Sequence, residues 1–269
     1  MGYFVLVFDD LKQRIEQIEG RSQALCGATG LQTEPWTTGL RALDIAIPKE
    51  ALATDGCHDF TSVSAKDIPQ VAGFIGALLQ RLPTQRLNNG MIVWCQTAPN
   101  AREYGRIYPP SLLGTRITPD RFLFVNVPKE RDLALVLEEC IRINSVVAVV
   151  GEGAAPNFTT SRRLTLTAQK SGVPCLILNT SGDVGPSAAQ TRWRIAPIAG
   201  PPQPDDPKGP GHSAWSVTLA RARGADTAKN PTLAKPLKVY WNNETHSFDL
   251  VSSLRFATSR AEQKTTGSL

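Results

Sequence analysis

Residues 57–82, CHDFTSVSAKDIPQVAGFIGALLQRL, decide the fold of this protein. They predict a short apolar strand over 58–63, a turn, and an amphipathic helix over 66–82 that directs Val71, Ile75 and Leu78 towards the core. Many α/β proteins bind phosphate at such a junction, because the first amides of the helix point at the anion. The stretch therefore indicates either an unusual nucleotide site or a nucleotide-binding fold that no longer binds nucleotide.

The residues at this junction do not suit phosphate. A phosphate loop needs glycines, a Lys for the β- and γ-phosphates and a Ser or Thr for magnesium, yet residues 61–70 contain no glycine. Asp67 places a carboxylate where the helix dipole would attract the anion, and Pro69 removes an amide. Ser64 with Asp67 three residues later predicts a capping box that starts the helix without a ligand. The degenerate phosphate loop consists of Ser62, Ser64, Lys66, Asp67, Ile68 and Pro69.

The second element of a nucleotide site is also incomplete. A metal-binding aspartate would directly follow the apolar segment VVAVV (146–150), but Gly151 stands there and Glu152 comes one place later. Glu152 is interpreted either as a loop carboxylate or as a lone general base at the mouth of a parallel sheet. We predict no catalytic residue and no cofactor from these two degenerate elements.

The remaining pattern predicts the fold class. Strands are expected over 91–95, 121–127, 146–150 and 174–179, and helices over 129–143 and 160–171. The first of these two helices is expected to direct one apolar face towards the core, formed by Leu133, Val136, Leu137, Cys140 and Ile141. Near-continuous apolar strands separated by helices indicate a parallel sheet covered on both faces. After residue 179, TRWRIAPI, AWSVTLARARG, LKVYWN and HSFDLVS alternate apolar and polar residues, as antiparallel strands do. We therefore expect an α/β fold with a mostly parallel sheet flanked by helices, antiparallel strands at its C-terminal end and an N-terminal helical arm.

The pattern divides the chain into three parts. Residues 1–37 form the arm and a linker, because Leu11, Ile15 and Ile18 recur at helical spacing. Residues 38–256 form the core domain, and residues 257–269 lack an apolar pattern and are predicted to be a disordered tail. The arm helix is expected either to pack on its own core or to contact another subunit. The loop 197–211 is rich in Pro and Gly and is expected to be exposed.

Composition narrows the class of protein. A formal net charge of +5 over 269 residues permits contact with nucleic acid without requiring it. Five scattered cysteines and three separated histidines indicate neither a disulfide framework nor a metal site. The apolar start MGYFVLVF is too short to span a bilayer, so we expect a cytoplasmic protein with no membrane association.

The order of these segments resembles the core of the RecA-type ATPases. TGLRALDIAIP (38–48) is similar to the start of that core, and PDRFLFVNVPKERDLALVLEECIRINSVVAVVGE (119–152) to the segment that runs into its Walker B strand. The blocks TTSRRLTLTAQKSGVPCLIL (159–178), PSAAQTRWRI (186–195) and VTLARARG (217–224) resemble the ImuA family, RecA-like proteins that have lost their ATPase motifs. The resemblance covers residues 36–251.

This resemblance implies a non-catalytic adaptor, a pseudo-ATPase, in SOS-induced error-prone translesion DNA synthesis. The implied partners are ImuB, a catalytically inactive relative of the Y-family polymerases, and, through the complex, an error-prone DnaE-type polymerase. RecA, DNA and a second copy of the chain are partners that the resemblance leaves open. GEGAAPNFTT (151–160) runs almost directly into a helix, so the chain lacks the long loop that carries part of the DNA contact of RecA. We do not expect it to form filaments on DNA by itself.

Basic residues supply the candidate binding surface. Asp183 is the one acid between residues 153 and 204. Arg192 and Arg194 flank Trp193 on an alternating strand, so both arginines are expected on one face and Trp193 on the other. That face is interpreted as solvated surface, as a phosphate contact or as a contact for an acidic partner. The predicted interaction residues are Arg162, Arg163, Arg192, Trp193, Arg194, Arg221 and Arg223, with Leu11, Ile15 and Ile18 of the arm.

Two other functions remain open from the sequence. One is a weak, noncanonical ATPase that uses Lys66 and Glu152, in which case Lys66→Ala would abolish nucleotide binding. The other is a cell-division inhibitor that acts on a division protein, since a likeness to such inhibitors is sometimes drawn for relatives of ImuA.

Overall fold

A computed structural model describes residues 34–109, 115–182, 185–203, 206–225 and 235–251. The predicted arm helix with Leu11, Ile15 and Ile18, and the predicted tail 257–269, lie outside these ranges. Residue Trp36, which the sequence assigns to the linker, is buried in the core, and it forms a β-bridge with Leu52.

The described residues form one nine-stranded sheet. Its order is β3-β2-β4-β5-β1-β6-β7-β8-β9, with parallel pairing from β3 to β6 and antiparallel pairing from β6 to β9. This arrangement confirms the predicted α/β fold with a mostly parallel sheet. The strands are β1 Cys57–Ser62, β2 Met91–Thr97, β3 Phe122–Val127, β4 Val146–Gly153, β5 Cys175–Asn179, β6 Thr191–Ile198, β7 Ala214–Ala222, β8 Leu237–Asn242 and β9 Ser247–Leu250.

Helices cover both faces of the sheet. On one face, Phe74 of α2 packs in the same apolar cluster as Phe60 of β1 and Trp193 of β6. On the other face, Leu137 of α5 and Leu164 of α6 share a second apolar cluster. The helices are α1 Arg41–Asp44, α2 Ile68–Leu79, α3 Thr84–Asn89, α4 Ala98–Glu103, α5 Leu133–Ile141 and α6 Phe158–Ser171. None of the described helices has the length and apolar character needed to cross a membrane.

The core faces predicted for the two long apolar helices are confirmed. Val71, Ile75 and Leu78 of α2 are each 1% exposed or less. Along α5 the predicted face is buried as well, from Leu133 to Ile141. Periodicity predicts these faces because each helix must bury one apolar stripe against the sheet.

The direction of β6 differs from the sequence-based expectation. The alternation in TRWRIAPI predicts an antiparallel strand, but β6 is parallel to β1 and antiparallel only to β7. Alternation of apolar and polar residues reports that one face of a strand is buried, and it carries no information on the direction of the neighbouring strand. The change from parallel to antiparallel pairing therefore lies between β6 and β7.

The capping box predicted at the start of α2 is wrong. Ser64 precedes a 3-10 turn over Ala65–Asp67, and neither the Ser64 nor the Asp67 side chain makes a capping hydrogen bond. Instead, Ser62 Oγ donates to the carbonyl oxygen of Ser64 at 2.8 Å. The 3-10 turn places these side chains off the geometry that a capping box requires, because it is wound more tightly than an α-helix.

Candidate functional site

The strand-to-helix junction is closed by bonds within the protein. The amide of Val63 donates to the carbonyl oxygen of Ile195 at 3.2 Å, and the amide of Asp67 donates to that of Ser64 at 2.9 Å. Two amides that a phosphate would need are therefore already used. Pro69 lies in the first turn of α2 and has no amide to offer. Lys66 is exposed.

Gly151 and Glu152, which the sequence interprets as a degenerate Walker B element, lie within β4 of the sheet. A Cβ atom at Gly151 would lie 2.6 Å from Cδ1 of Leu137, so a larger side chain there would displace the packed leucine of α5. Glu152 lies within β4 and is 3% exposed, so the interpretation of Glu152 as a loop carboxylate is wrong. Continuation of β4 beyond its apolar run carries this residue into the sheet.

Both carboxylate oxygens of Glu152 are engaged. Gln96 Nε2 donates to Oε1 at 2.8 Å, and Trp94 Nε1 donates to Oε2 at 3.2 Å. Burial raises the pKa of this carboxyl, while the two hydrogen bonds lower it. Lys66 does not line the cavity that Glu152 borders. The two residues proposed for a noncanonical ATPase are thus not brought together in one site.

The strand β6 separates its three candidate residues as alternation predicts. Trp193 is fully buried, stacks on Phe60 with ring centroids 6.3 Å apart, and donates from Nε1 to Thr191 Oγ1 at 2.7 Å. Trp193 is therefore a core residue. Arg194 is exposed on the opposite side of the strand.

Arg192 is held in place by contacts within the protein. Its Nη2 atom donates to the carbonyl oxygen of Gly185 at 2.8 Å and lies 3.7 Å from Asp59 Oδ2. Asp59 is 9% exposed. Burial raises the pKa of Asp59, and a hydrogen bond with Ser187 and the charges of Arg192 and Arg221 lower it. Arg192 thus offsets a buried charge, which is a structural task that the sequence did not indicate.

Three of the predicted arginines meet in one groove. Arg162 of α6 and Arg221 and Arg223 at the end of β7 line a groove of about 380 Å³, together with Phe158 and Leu166. We call this the α6 groove. Among the described residues that line it, none is Asp or Glu: Phe158, Arg162, Thr165, Leu166, Gln169, Pro186, Ser187, Ala188, Arg221 and Arg223. It is therefore a basic groove with an apolar component.

The wall of the α6 groove opposite the helix is fixed by hydrogen bonds. Ser161 Oγ accepts from the amide of Ala188 at 3.0 Å. Arg221 Nη1 donates to the carbonyl oxygen of Ser187 at 3.0 Å. The segment 186–188 thus connects α6 to β7 and holds the arginines of the two elements around one space.

Arg163 belongs to a different contact. Its Nε atom lies 2.6 Å from Glu138 Oε2 of α5, and Arg142 pairs with the same carboxylate. This ion pair connects α5 and α6 on the side away from Arg162. Adjacent helical residues point about 100° apart, which explains why Arg162 and Arg163 have separate surroundings.

Sequence reasoning missed Phe158 and Leu166, which are 47% and 49% exposed. A signal was available for Leu166, because Leu164 is fully buried and residues two apart on a helix face nearly opposite sides. Asp59 also had a signal, since an acid inside an apolar strand needs a buried partner. Within the described ranges, no three His, Cys, Asp or Glu side chains are grouped so that they could hold a metal ion.

Comparison with known proteins connects this architecture to a family. A scan against protein-family models returned no match. The Protein ImuA sequences of two strains of Caulobacter vibrioides, NA1000 / CB15N and ATCC 19089 / CIP 103742 / CB 15, are each 30% identical to this chain over 198 residues. The matched region covers 69% of this chain and 78% of either relative. This protein belongs to the ImuA family.

Proposed function

We propose that this protein is a non-catalytic adaptor in SOS-induced error-prone translesion DNA synthesis. It binds an ImuB-like inactive relative of the Y-family polymerases and, through that protein, an error-prone DnaE-type polymerase. The observation that carries the proposal is membership of the ImuA family, at 30% identity over 198 residues. The α6 groove is the surface that the geometry favours for the ImuB-like partner.

The non-catalytic part of the proposal is supported by the surroundings of the degenerate motifs. Two amides at the strand-to-helix junction are bonded to the carbonyl oxygens of Ile195 and Ser64, and residues 61–70 contain no glycine. Glu152 is buried and accepts hydrogen bonds at both oxygens. A general base must reach the proton that it abstracts, and the Glu152 carboxylate is instead held by Trp94 and Gln96 within the protein.

The chemistry of the α6 groove favours a protein segment over nucleic acid. Arginines bind carboxylates through paired, charge-assisted hydrogen bonds and are enriched in protein interfaces. Phe158 by itself would also suit a nucleobase, which stacks on aromatic rings. Leu166 offers no such stacking surface, and its aliphatic side chain fits an apolar side chain of a partner. The expected ligand is an acidic segment with at least one apolar anchor.

The test is a binding titration of the purified protein with its ImuB-like partner. The double variant Arg162→Glu, Arg223→Glu is expected to weaken binding at least about tenfold, because it places carboxylates opposite an acidic ligand. The matched control is Arg102→Glu, Arg131→Glu, which makes the same charge change at exposed arginines outside the groove. Circular dichroism and thermal unfolding are expected to be unchanged in both variants.

The outcomes separate the partners. Equal loss in both double variants would assign binding to net charge and reject the α6 groove as the site. Unchanged binding to the ImuB-like protein with lost binding to labelled single-stranded DNA would assign the groove to DNA, and lost binding to RecA would assign it to RecA. No binding of the wild type to the ImuB-like protein would overturn the adaptor proposal itself.

A further inference from the structure

A second groove lies along the outer side of α2, on the sheet face opposite α6. It has a volume of about 470 Å³, and its floor is formed by Ala72, Gly73 and Gly76. The helix α2 packs over β5, β1 and β6 in the middle of the sheet. Tyr104, which follows β2 and α4 in the chain, and Trp241 of β8 also line the groove. We call it the α2 groove.

The outer side of α2 is unusually apolar for a helix that faces solvent. Its sequence, IPQVAGFIGALL, contains no charged residue, whereas a surface helix normally carries charged residues opposite its apolar stripe. A helix that is apolar on all sides is normally covered on all sides. Among the described residues, no element covers the apolar outer side of α2, and the polar side chains of Gln80, Gln96, Arg106 and Glu152 also line the groove.

The glycines in the floor of the groove also indicate that another element covers it. Among the described residues, a Cβ atom at Gly76 would meet no atom within 4 Å, and one at Gly73 would meet only the Trp215 ring, at 3.9 Å. Neither position has a positive φ. Glycine inside a helix costs about 0.5–1 kcal/mol of stability relative to alanine. No contact among the described residues requires glycine at these two positions. What glycine permits here is the close approach of another element from outside.

The chain itself supplies a segment at this place. The described residues begin at Glu34, and Trp36 Nε1 donates to the carbonyl oxygen of Leu78 near the end of α2 at 3.1 Å. Arg81 Nε donates to the carbonyl oxygen of Thr37 at 3.4 Å. Residues 1–33 are therefore joined to the body next to the C-terminal end of the α2 groove, which Ala77 and Gln80 line.

The predicted arm helix matches α2 in length. An arm helix over residues 9–19 would be about 16 Å long, and α2 with its 12 residues is about 18 Å long. Residues 20–33 can span up to about 45 Å, which is enough to lay the arm along α2 in either direction. A segment tethered this close has an effective concentration in the millimolar range, so a modest apolar contact suffices to hold it.

We propose that the arm helix of the same chain, residues 9–19, occupies the α2 groove. Leu11, Ile15 and Ile18 pack on Gly73 and Gly76 between the aromatic walls, and the charged residues of the arm face solvent. The inference is independent of the α6 groove and of the translesion partners, since it concerns only how this chain covers its own apolar surface.

The test uses the full-length chain with introduced thiols and a short bis-maleimide crosslinker. Cys26 is replaced by Ser, and the cysteines in the described part of the chain are buried. In this background, Ile15→Cys is combined with Gly76→Cys, where a side chain has open space. One control moves the arm thiol to the opposite face of the helix, by Gln13→Cys. The other moves the body thiol to α6, by Leu166→Cys.

The expected result is a crosslink within one chain that forms at least about tenfold faster for positions 15 and 76 than for either control pair. Its rate is expected to be independent of protein concentration, since a tethered reaction is intramolecular. Equal rates in all three pairs, or no crosslink, would overturn the proposal. A crosslink between chains alone, with a rate that rises with concentration, would overturn it in favour of an arm supplied by a second copy.

A second measurement keeps the test valid if the crosslinker alters the arm. The thiol introduced by Gly76→Cys is alkylated with a small maleimide in full-length chains that differ only by Ile15→Asp and Ile18→Asp. Charges on the packing face are expected to release the arm and raise the alkylation rate several-fold. The thiol introduced by Leu166→Cys is expected to react at an unchanged rate. Equal rates at position 76 with and without the aspartates would overturn the proposal.

Discussion

At the scale of single residues, a hydrogen-bonded chain runs through the centre of the sheet. His58 is fully buried, with Nε2 at 2.8 Å from the carbonyl oxygen of Ala53 and Nδ1 at 2.7 Å from Thr191 Oγ1. Since a carbonyl only accepts, Nε2 carries the proton and Nδ1 accepts from the Thr191 hydroxyl, which in turn accepts from Trp193 Nε1. The imidazole is thus held neutral, and burial lowers its pKa to about 4.

This pKa predicts how stability depends on pH. The unfolded chain takes up a proton at His58 below about 6.5, whereas the folded chain does so only near 4, so stability is lost as pH falls through this window. The stability advantage of the wild type over His58→Gln is expected to shrink by about 3 kcal/mol between pH 7 and pH 4. Urea unfolding of both proteins at several pH values measures it.

The comparison with His58→Gln removes the contribution of the carboxyls. Burial raises the pKa of Asp59 and Glu152, and their effect on stability has the opposite sign, but it is common to both proteins. Parallel pH profiles of the wild type and the variant would show that His58 has the same pKa in the folded and the unfolded chain, and would contradict the lowered pKa of the buried imidazole.

At the scale of elements, α6 and α2 begin in different ways. Asn157 caps α6, since its Oδ1 accepts from the amide of Thr160 at 2.9 Å, and Gly172 ends the helix with a φ of 67°. The start of α2 has no side-chain cap. The helix that carries the α6 groove is therefore fixed by local bonds at both ends, whereas α2 depends on burial of its apolar residues.

This difference predicts unequal effects of two alanine substitutions. Asn157→Ala is expected to lower the free energy of unfolding by about 1 kcal/mol, because it leaves an amide of the first turn without its partner. Ser64→Ala is expected to change it by less than about 0.5 kcal/mol. Chemical unfolding of the two variants measures both values. A loss at Ser64 as large as that at Asn157 would restore the capping box that the structure excludes.

At the scale of the whole molecule, the two ends of the sheet have different tasks. The parallel part contains the junction between β1 and α2, where the amide of Val63 is bonded to the carbonyl oxygen of Ile195. The antiparallel part contributes Arg221 and Arg223 to the α6 groove and Trp215 and Trp241 to the α2 groove. Both grooves therefore lie where the antiparallel strands meet the helices of the parallel part.

The closed junction predicts the response to nucleotide. Titration with magnesium and a fluorescent ATP analogue, with and without single-stranded DNA, is expected to show no saturable binding up to millimolar concentrations, and Lys66→Ala is expected to give the same curve. The physical reason is that two junction amides are already bonded within the protein and that residues 61–70 provide no glycine loop around an anion. Saturable binding that disappears in Lys66→Ala would favour the noncanonical ATPase.

The sequence by itself determined the local features of this protein. A strand that is buried on both faces has a continuous apolar sequence, and this pattern predicted the parallel sheet. A helix that is buried on one face has a single apolar stripe, and this pattern predicted the core face of α5. The absence of glycine and the presence of Asp67 and Pro69 at the junction are properties of neighbouring residues, and the loss of nucleotide binding that they indicate stays a prediction. The sequence blocks 159–178, 186–195 and 217–224 carried the resemblance to the ImuA family.

Tertiary structure alone decided which of the basic residues lie in one groove. Arg162 is far in sequence from Arg221 and Arg223, and the three meet because the segment 186–188 is bonded to both α6 and β7. Arg192, which looked equivalent in sequence, is committed to Asp59 instead. Pairing direction and the partner of a charge are fixed by contacts between distant segments, and the local pattern of apolar and polar residues does not encode them.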